Sequence, residues 1–287
     1  MFNLYREEIQ KNWSNSYRNH INRNIGLIKI EEQEKIRTTP ITIFGVGGLG
    51  GSIAEQLVRS GCEQIVICDN DKFEETNLNR QLCTREDLEK NKVDIISKYL
   101  RKINPEIKVQ TYCNVSEENI SIILNDSSIA VLTLDDPITS ILISRECLKK
   151  NIPMLESWGI PYLWAWWFTS ESINYETCYG FSTLEMKIDE IRNSNKFLLE
   201  IKKALLDKLL QFPKIHETYN REPGVVKRII SGELPLVSLA PVVRITASYL
   251  TFEIIYAGIL KEKKKILAPN VVGYDYLRMK PIEFILK

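Results

Sequence analysis

The sequence predicts an α/β protein with a mainly parallel sheet, helices on both faces, and antiparallel strands added in the C-terminal third. Three observations predict it. Short β-branched runs alternate with amphipathic helical stretches from residue 41 to 160, a glycine-rich turn breaks the first of those runs, and after Ile160 strand-like segments come in successive pairs with no helix between the members of a pair.

Residues 1–40 are polar, rich in Arg, Asn, Glu and Lys, and read as an N-terminal helical arm with helical propensity around 31–37. Residues 41–160 read as the core. ITIFGVGG is a strand running into glycines, and SIAEQLVRSG carries Ile53, Ala54, Leu57 and Val58 at helical spacing before stopping at Gly61. QIVICDND is the next buried strand, and 92–103 is an amphipathic helix closed by Asn104-Pro105. KVQTYCNV and IAVLTLDD continue the strands, 139–150 is a helix, and IPMLESW is a strand. Strand–helix alternation with right-handed crossovers makes this a Rossmann-like arrangement. Residues 161–287 read as a sheet extension forming one compact unit with the core. YLWAWWFT, INYETCYGF, VVGYDYLRM and IEFIL read as strands, and 184–210 and 240–260 as helices, the second apolar enough to be buried. The stretch 182–237 is an insertion whose later part, FPKIHETYNREPGVVKRIISGELP, carries the Pro and Gly punctuation of an ordered excursion or loop.

Composition excludes several classes. The chain has 287 residues, enough for a sizeable core, and 38 basic against 37 acidic side chains give no global attraction to nucleic acid or membrane. The lysine run 261–265 reads as a solvated helix end. MFNLYREEIQ is charged where a leader needs an apolar stretch, and no run of about 18 apolar residues appears anywhere, so a cytoplasmic protein is expected. Six scattered cysteines with no C-x-x-C pair, and only His20 and His216, leave no material for a disulfide framework, a cysteine-rich zinc site or a Ser-His-Asp triad.

The chemistry-bearing motif is Gly45-Val46-Gly47-Gly48-Leu49-Gly50, placed after a strand and before a helix, where backbone amides and the helix end can receive phosphate oxygens. Asp69 ends the next strand nineteen residues beyond Gly50, where a carboxylate can hold ribose hydroxyls. To this point NAD and ATP fit equally. The following stretch, Asp69-Asn70-Asp71-Lys72-Phe73-Glu74-Glu75-Thr76-Asn77-Leu78-Asn79-Arg80-Gln81, with Lys92 eleven residues later, adds cations. Hydride transfer has no use for them. A reaction at the α-phosphate of a triphosphate needs Arg, Lys and a metal-holding acid around one pocket.

These segments resemble the ThiF/MoeB/HesA family, the ubiquitin-activating-type adenylyltransferases, through GVGGLGGS, DNDKFEETNLNRQ, the Asn-Lys of NKVD, and LDD followed by CLKKNIPMLESWG. The resemblance covers residues 17–160 well and the last third weakly. It implies a nucleotide site built from Gly45, Gly47, Gly48, Gly50, Asp69, Asp71, Asn77 and Gln81, with Asn77, Arg80 and Lys92 on the phosphates. It also implies that Asp135 holds Mg²⁺, because Asp135 stands eighteen residues before Pro153, as the family's acid does. The family's following Asn is replaced by Asp136, which either adds charge to the metal site or caps the helix. Asn22-Arg23-Asn24-Ile25-Gly26 resembles the family's arm motif, which implies that Arg23 reaches the γ-phosphate across a homodimer interface; the alternative is a surface arginine on a flexible arm.

The sequence also departs from the family. The zinc cysteines are missing, with Phe181 at the partner position of Cys178, so no zinc is expected. Residues 179–287 contain no cysteine, and Cys178 and Cys147 read as core thiols. The expectation is therefore Mg²⁺- and ATP-dependent adenylation of a carboxylate on a peptide or small ubiquitin-like carrier protein, without an enzyme thioester. The alternatives are a tRNA-modifying ATP-dependent dehydratase, tRNA being the one nucleic-acid partner considered, and a non-catalytic nucleotide-binding partner protein. Trp164, Trp166 and Trp167, with Tyr162 and Phe168, could line a peptide groove, but are read as core and interface, and substrate choice is assigned to 182–237.

Overall fold

The computed structural model describes residues 10–158, 160, 162–235 and 237–287. The arm holds α1 (Asn15–Ile21) and α2 (Ile30–Thr38). Ser14 caps α1 by accepting from the Tyr17 amide at 2.9 Å. The arm is docked along the core: Tyr17 donates its hydroxyl to the Gly61 carbonyl at 2.9 Å, and Ile28 and Ile36 pack into the same apolar cluster as Ile53 and Leu57.

The core continues as β1 (Ile41–Phe44), α3 (Gly48–Arg59), β2 (Gln64–Cys68), α4 (Lys92–Ile103), β3 (Lys108–Tyr112), the short α5 (Ile120–Ile123), β4 (Ile129–Leu132), α6 (Pro137–Lys149) and β5 (Met154–Glu156). Among the described residues the main sheet has six strands in the order β3-β2-β1-β4-β5-β6, the last being Trp166–Phe168. The first five are parallel and β6 runs antiparallel to β5. Phe44 pairs with both Cys68 and Leu132, and Leu132 with Glu156, so the C-terminal ends of four strands form one level edge. The chain leaves β1 toward β2 on one side, and β4 lies on the other; a sheet of this topology opens a crevice at that edge.

Side-chain alternation builds a core on each face. On β4, Ile129 and Val131 face the layer of α3, α4 and the late apolar helix, while Ala130 and Leu132 face the layer of α6 and the aromatic C-terminal segments. Trp164 and Trp166 fall in the second layer and Trp167 in the first; all three are at most 1% exposed. They are core, and a peptide groove along this strand is excluded.

The C-terminal third departs from the sequence expectation in three places. INYETCYGF holds helix α7 (Tyr175–Tyr179) where a strand is expected, because Asn174 accepts from the Glu176 and Thr177 amides and Gly180 closes the turn at φ 72°. The helix expected over 184–210 is two, α8 (Ile188–Arg192) and α9 (Asn195–Gln211). The punctuated stretch beyond it contains α10 (Ile215–Tyr219) and α11 (Val225–Ile230). Helix α12 (Ala240–Phe252) passes into a π-helical run, Glu253–Ile259. By length and composition these twenty residues could cross a membrane, where the sequence is read as holding no apolar run of that length. Val243, Ala247, Leu250 and Ile254 nevertheless bury that apolarity in the cluster shared with α3. Strands β7 (Asn270–Asp275) and β8 (Lys280–Ile285) form a separate antiparallel pair, bridged to the main sheet at Ala165 and Val272.

Candidate functional site

Gly45 follows β1 at φ 88°, a backbone state that a side chain rarely adopts, and its amide donates to the Cys68 carbonyl at 2.7 Å. The turn folds on itself so tightly that a methyl group on Gly50 would stand 1.8 Å from the Gly45 carbonyl oxygen. The Thr133 hydroxyl, just past β4, donates to the Gly45 carbonyl at 2.8 Å and fixes the turn from the other side of the crevice. α3 begins at Gly48, with Gly47 as its N-cap, so the helix's free amides face the crevice.

Asp69 stands one residue past β2. One of its oxygens accepts from the Val46 amide at 2.7 Å and the other from the Asp71 amide at 2.9 Å. Each oxygen keeps a second lone pair for a hydroxyl. Burial pushes the Asp69 carboxyl above its ordinary range, against the pull of the two amides and of Lys92.

Lys92 is the first residue of α4, and its side chain is 8% exposed. Its ammonium donates to Asp71 at 2.7 Å. Arg80 donates through Nη1 to the Thr76 carbonyl at 2.9 Å and to Asn79 Oδ1 at 2.7 Å. Gln81 lies over the turn: a methyl group on Gly47 would be 3.5 Å from its Nε2. Its buried Oε1 has no hydrogen-bond partner among the described residues. An orphaned acceptor above a bare glycine cradle fits a ligand bearing hydroxyl or amino groups, and the same amide turned over offers its NH₂ to phosphate.

Asn77 is buried, and its side chain is engaged locally, accepting from the Glu74 amide at 3.3 Å and donating to Thr76 Oγ1 at 3.4 Å. Both contacts are long, so a better partner can displace them. Asp135 is exposed, two residues beyond Thr133 at the lip of the crevice. Asp136 resolves the substitution noted in the sequence: it caps α6, accepting from the Ile138 and Thr139 amides at 3.4 and 3.1 Å and from the Thr139 hydroxyl. Among the described residues no group of three or more acidic, His or Cys side chains could hold a metal ion.

The structure thus brings together Gly45, Gly47, Gly48, Gly50, Asp69, Asp71, Arg80, Gln81 and Lys92, with Asn77 within the same turn and Asp135 at the lip. Arg23 is not with them. Its neighbour Asn24 donates to the Ser60 carbonyl at 3.2 Å, at the far end of α3 from the glycine turn. Twelve residues of helix separate those ends, about 18 Å.

Two contributors were missed in the sequence. Val243 of α12 packs on the turn, 3.1 Å from where a methyl on Gly48 would be, and Asn79 donates to the Ser238 carbonyl at 3.2 Å. Both contacts join residues more than 150 positions apart, and no local pattern announces them. The late thiol is inert by environment: Cys178 is buried on α7, and burial, reinforced by Glu156, pushes it up to about 12. Burial also pushes Cys147 up to about 12.

Fold and site define a class: an α/β protein whose sheet edge carries a glycine cradle ringed by cations. The chain belongs to the ThiF family, which it matches over residues 20–286. Among curated proteins it is similar to the tRNA threonylcarbamoyladenosine dehydratase of Bacillus subtilis, 33% identical over 139 residues, covering 45% of this chain and 52% of that protein. It is also similar to the Bacillus subtilis sulfur carrier protein ThiS adenylyltransferase, 35% identical over 127 residues, covering 43% of this chain and 38% of that protein. The chain thus spans about half the length, or less, of these relatives. Of the solved structures, PaaA superposes with a TM-score of 0.66 at 18% identity, over 96% of this chain and 75% of that one. Escherichia coli MccB with ATP superposes with a TM-score of 0.61 at 22% identity, over 89% and 66%. These likenesses establish the fold, including its C-terminal third.

Proposed function

We propose that this chain is an ATP-dependent adenylyltransferase acting on a carboxylate of a peptide or small carrier protein. The observation that carries the reading is the buried Lys92 ammonium, set with Arg80 and Asp69 around one glycine cradle. A dinucleotide's diphosphate needs the cradle alone, whereas a departing pyrophosphate needs the cations. In this reading Asp69 holds the ribose, and the α3 amides with Arg80 and Lys92 hold the phosphates. A carboxylate oxygen of the acceptor attacks the α-phosphorus, the bond to pyrophosphate breaks, and an acyl-adenylate forms. Asp135 with the phosphate oxygens would hold Mg²⁺, which supplies charge neutralisation when bound. With Cys178 buried, the acyl-adenylate passes to a nucleophile brought by another molecule.

Arg23 completes the site only from a second copy of the chain, so the reading includes a homodimer. ATP–pyrophosphate exchange in the presence of candidate peptides tests the function. Exchange abolished by Lys92→Met and by Asp135→Ala supports it, and full exchange in the Asp135→Ala protein would remove that carboxylate from the mechanism. The similarity to a tRNA dehydratase sustains a second reading with the same ATP site; copurified tRNA and ATP turnover dependent on it would favour that acceptor.

A further inference from the structure

Between the cradle and the 182–237 insertion stands Asn79, to which the proposed function gives no role. Asn79 is exposed, and its side-chain amide is used at both ends. Oδ1 receives Arg80 Nη1 at 2.7 Å, and Nδ2 donates to the Ser238 carbonyl at 3.2 Å. The orientation of the amide is fixed by its partners, since a guanidinium only donates and a carbonyl only accepts. Arg80 Nη1 is also bound to the Thr76 carbonyl at 2.9 Å. Its Nε and Nη2 have no partner among the described residues, so the guanidinium is aimed while keeping donors for a ligand.

On the other side, Ser238 closes the segment leading from the insertion into α12. Its own hydroxyl is buried without a partner among the described residues, so the segment is tied at this point through the backbone carbonyl. Five residues on, Val243 bears on Gly48. A continuous path therefore runs from the remaining donors of Arg80 through Asn79 to Ser238 and back to the glycine turn.

We propose that Asn79 is a positioning residue that couples nucleotide occupancy to the order of residues 237–243, which lead from the insertion assigned to substrate choice into α12. The inference rests on the reading of the cradle as an ATP site. Phosphate restrains Arg80, Arg80 restrains the Asn79 amide, and the amide restrains the Ser238 carbonyl; chains of hydrogen bonds led by a cation strengthen one another. ATP binding thereby firms the segment that joins the insertion to α12.

Amide hydrogen exchange of the full-length protein, with and without saturating ATP, tests the coupling. In the wild type ATP is expected to slow exchange across 237–243. Asn79→Asp keeps an acceptor for Arg80 and removes the donor to Ser238, so at ATP concentrations that saturate the variant it should lose that slowing. Asn79→Ala removes both ends and should weaken ATP binding several-fold as well as losing the slowing. A purely structural role would alter exchange equally with and without ATP. ATP-dependent slowing that persists in the Asn79→Asp protein, or its absence in a wild type that binds ATP, overturns the coupling alone. A wild type that does not bind ATP overturns the proposed function and the coupling with it.

Discussion

Lys92 and Asp71 meet at 2.7 Å with the usual exposures reversed, the ammonium side chain 8% exposed and the carboxylate 57%. A buried cation in the first turn of a helix opposes the helix dipole and loses its hydration, two costs that Asp71 and the Asp69 carboxylate offset. An incoming phosphate can take over that role while Asp71 turns to solvent. Lys92→Met keeps the buried stem and removes the charge. It should fold normally and lose ATP–pyrophosphate exchange by ~10²–10³-fold, the scale on which a charge-stabilising donor acts.

The glycine turn separates folding from binding at two positions. A methyl on Gly50 meets the Gly45 carbonyl at 1.8 Å, so Gly50→Ala should destabilise the protein by more than about 4 kcal/mol or abolish soluble expression. At Gly47 the nearest atom stands at 3.5 Å. Gly47→Ala should therefore melt like the wild type while its ATP affinity, measured by calorimetry, drops at least ~10-fold, or about 1.4 kcal/mol.

Glu156 ends β5 in a cage of donors: Tyr179 at 2.7 Å, Trp166 at 3.1 Å and Tyr175 at 3.4 Å. Burial outweighs these bonds and pushes the carboxyl from 4.5 up to about 7. A raised acid binds its proton more tightly folded than unfolded. Its contribution is thus most favourable below pH 4.5 and is lost as pH rises from 4.5 toward 7, by roughly 3 kcal/mol at 1.36 kcal/mol per unit. Urea melts of wild type and Glu156→Gln at several pH values should differ in slope across that window and run parallel above it. Parallel curves throughout would refute the assignment.

Thiol reactivity tests the proposal that no enzyme thioester forms. Cys113 is exposed, whereas Cys62, Cys68, Cys147 and Cys178 are buried. Iodoacetamide at neutral pH should label Cys113 rapidly and leave those four unmodified, and Cys178→Ala should retain pyrophosphate exchange. Rapid native labelling of Cys178 would reopen the covalent route.

The placement of Arg23 can be read by complementation. If it acts on a partner's site, mixing inactive Arg23→Ala and Lys92→Met proteins restores roughly a quarter of wild-type activity, since half the dimers are mixed and each has one intact site. No recovery after full subunit exchange would retire the role in trans.

The first half of this architecture was legible because local signals agreed with tertiary ones. β-branched runs met glycines, the helix at 92–103 ended at Asn104-Pro105, and Asp69 fell at a strand end. The misreading at YETCY has a local cause that aromatic richness concealed, the Asn174 cap and Gly180 stop. Asp136 looked like a metal ligand or a cap, and only the two amide contacts decided between them. Asn79, Ser238 and Val243 were illegible because their roles exist only across more than 150 residues of chain. The split of α8 from α9 likewise owes nothing to periodicity, since apolar residues continue through both helices.

Val243 resting on Gly48 has a consequence for how the molecule is made. The cradle cannot be finished when the first 160 residues leave the ribosome, because part of its wall arrives with residue 243. An early fragment would present the open flank of α3, with its apolar cluster unfilled, as a surface in search of a partner. Contacts of such long sequence separation form late and slowly. The last third of the chain is then the step that commits the protein to its native state, and a graft of the glycine-turn half alone onto another scaffold would carry the motif without the pocket.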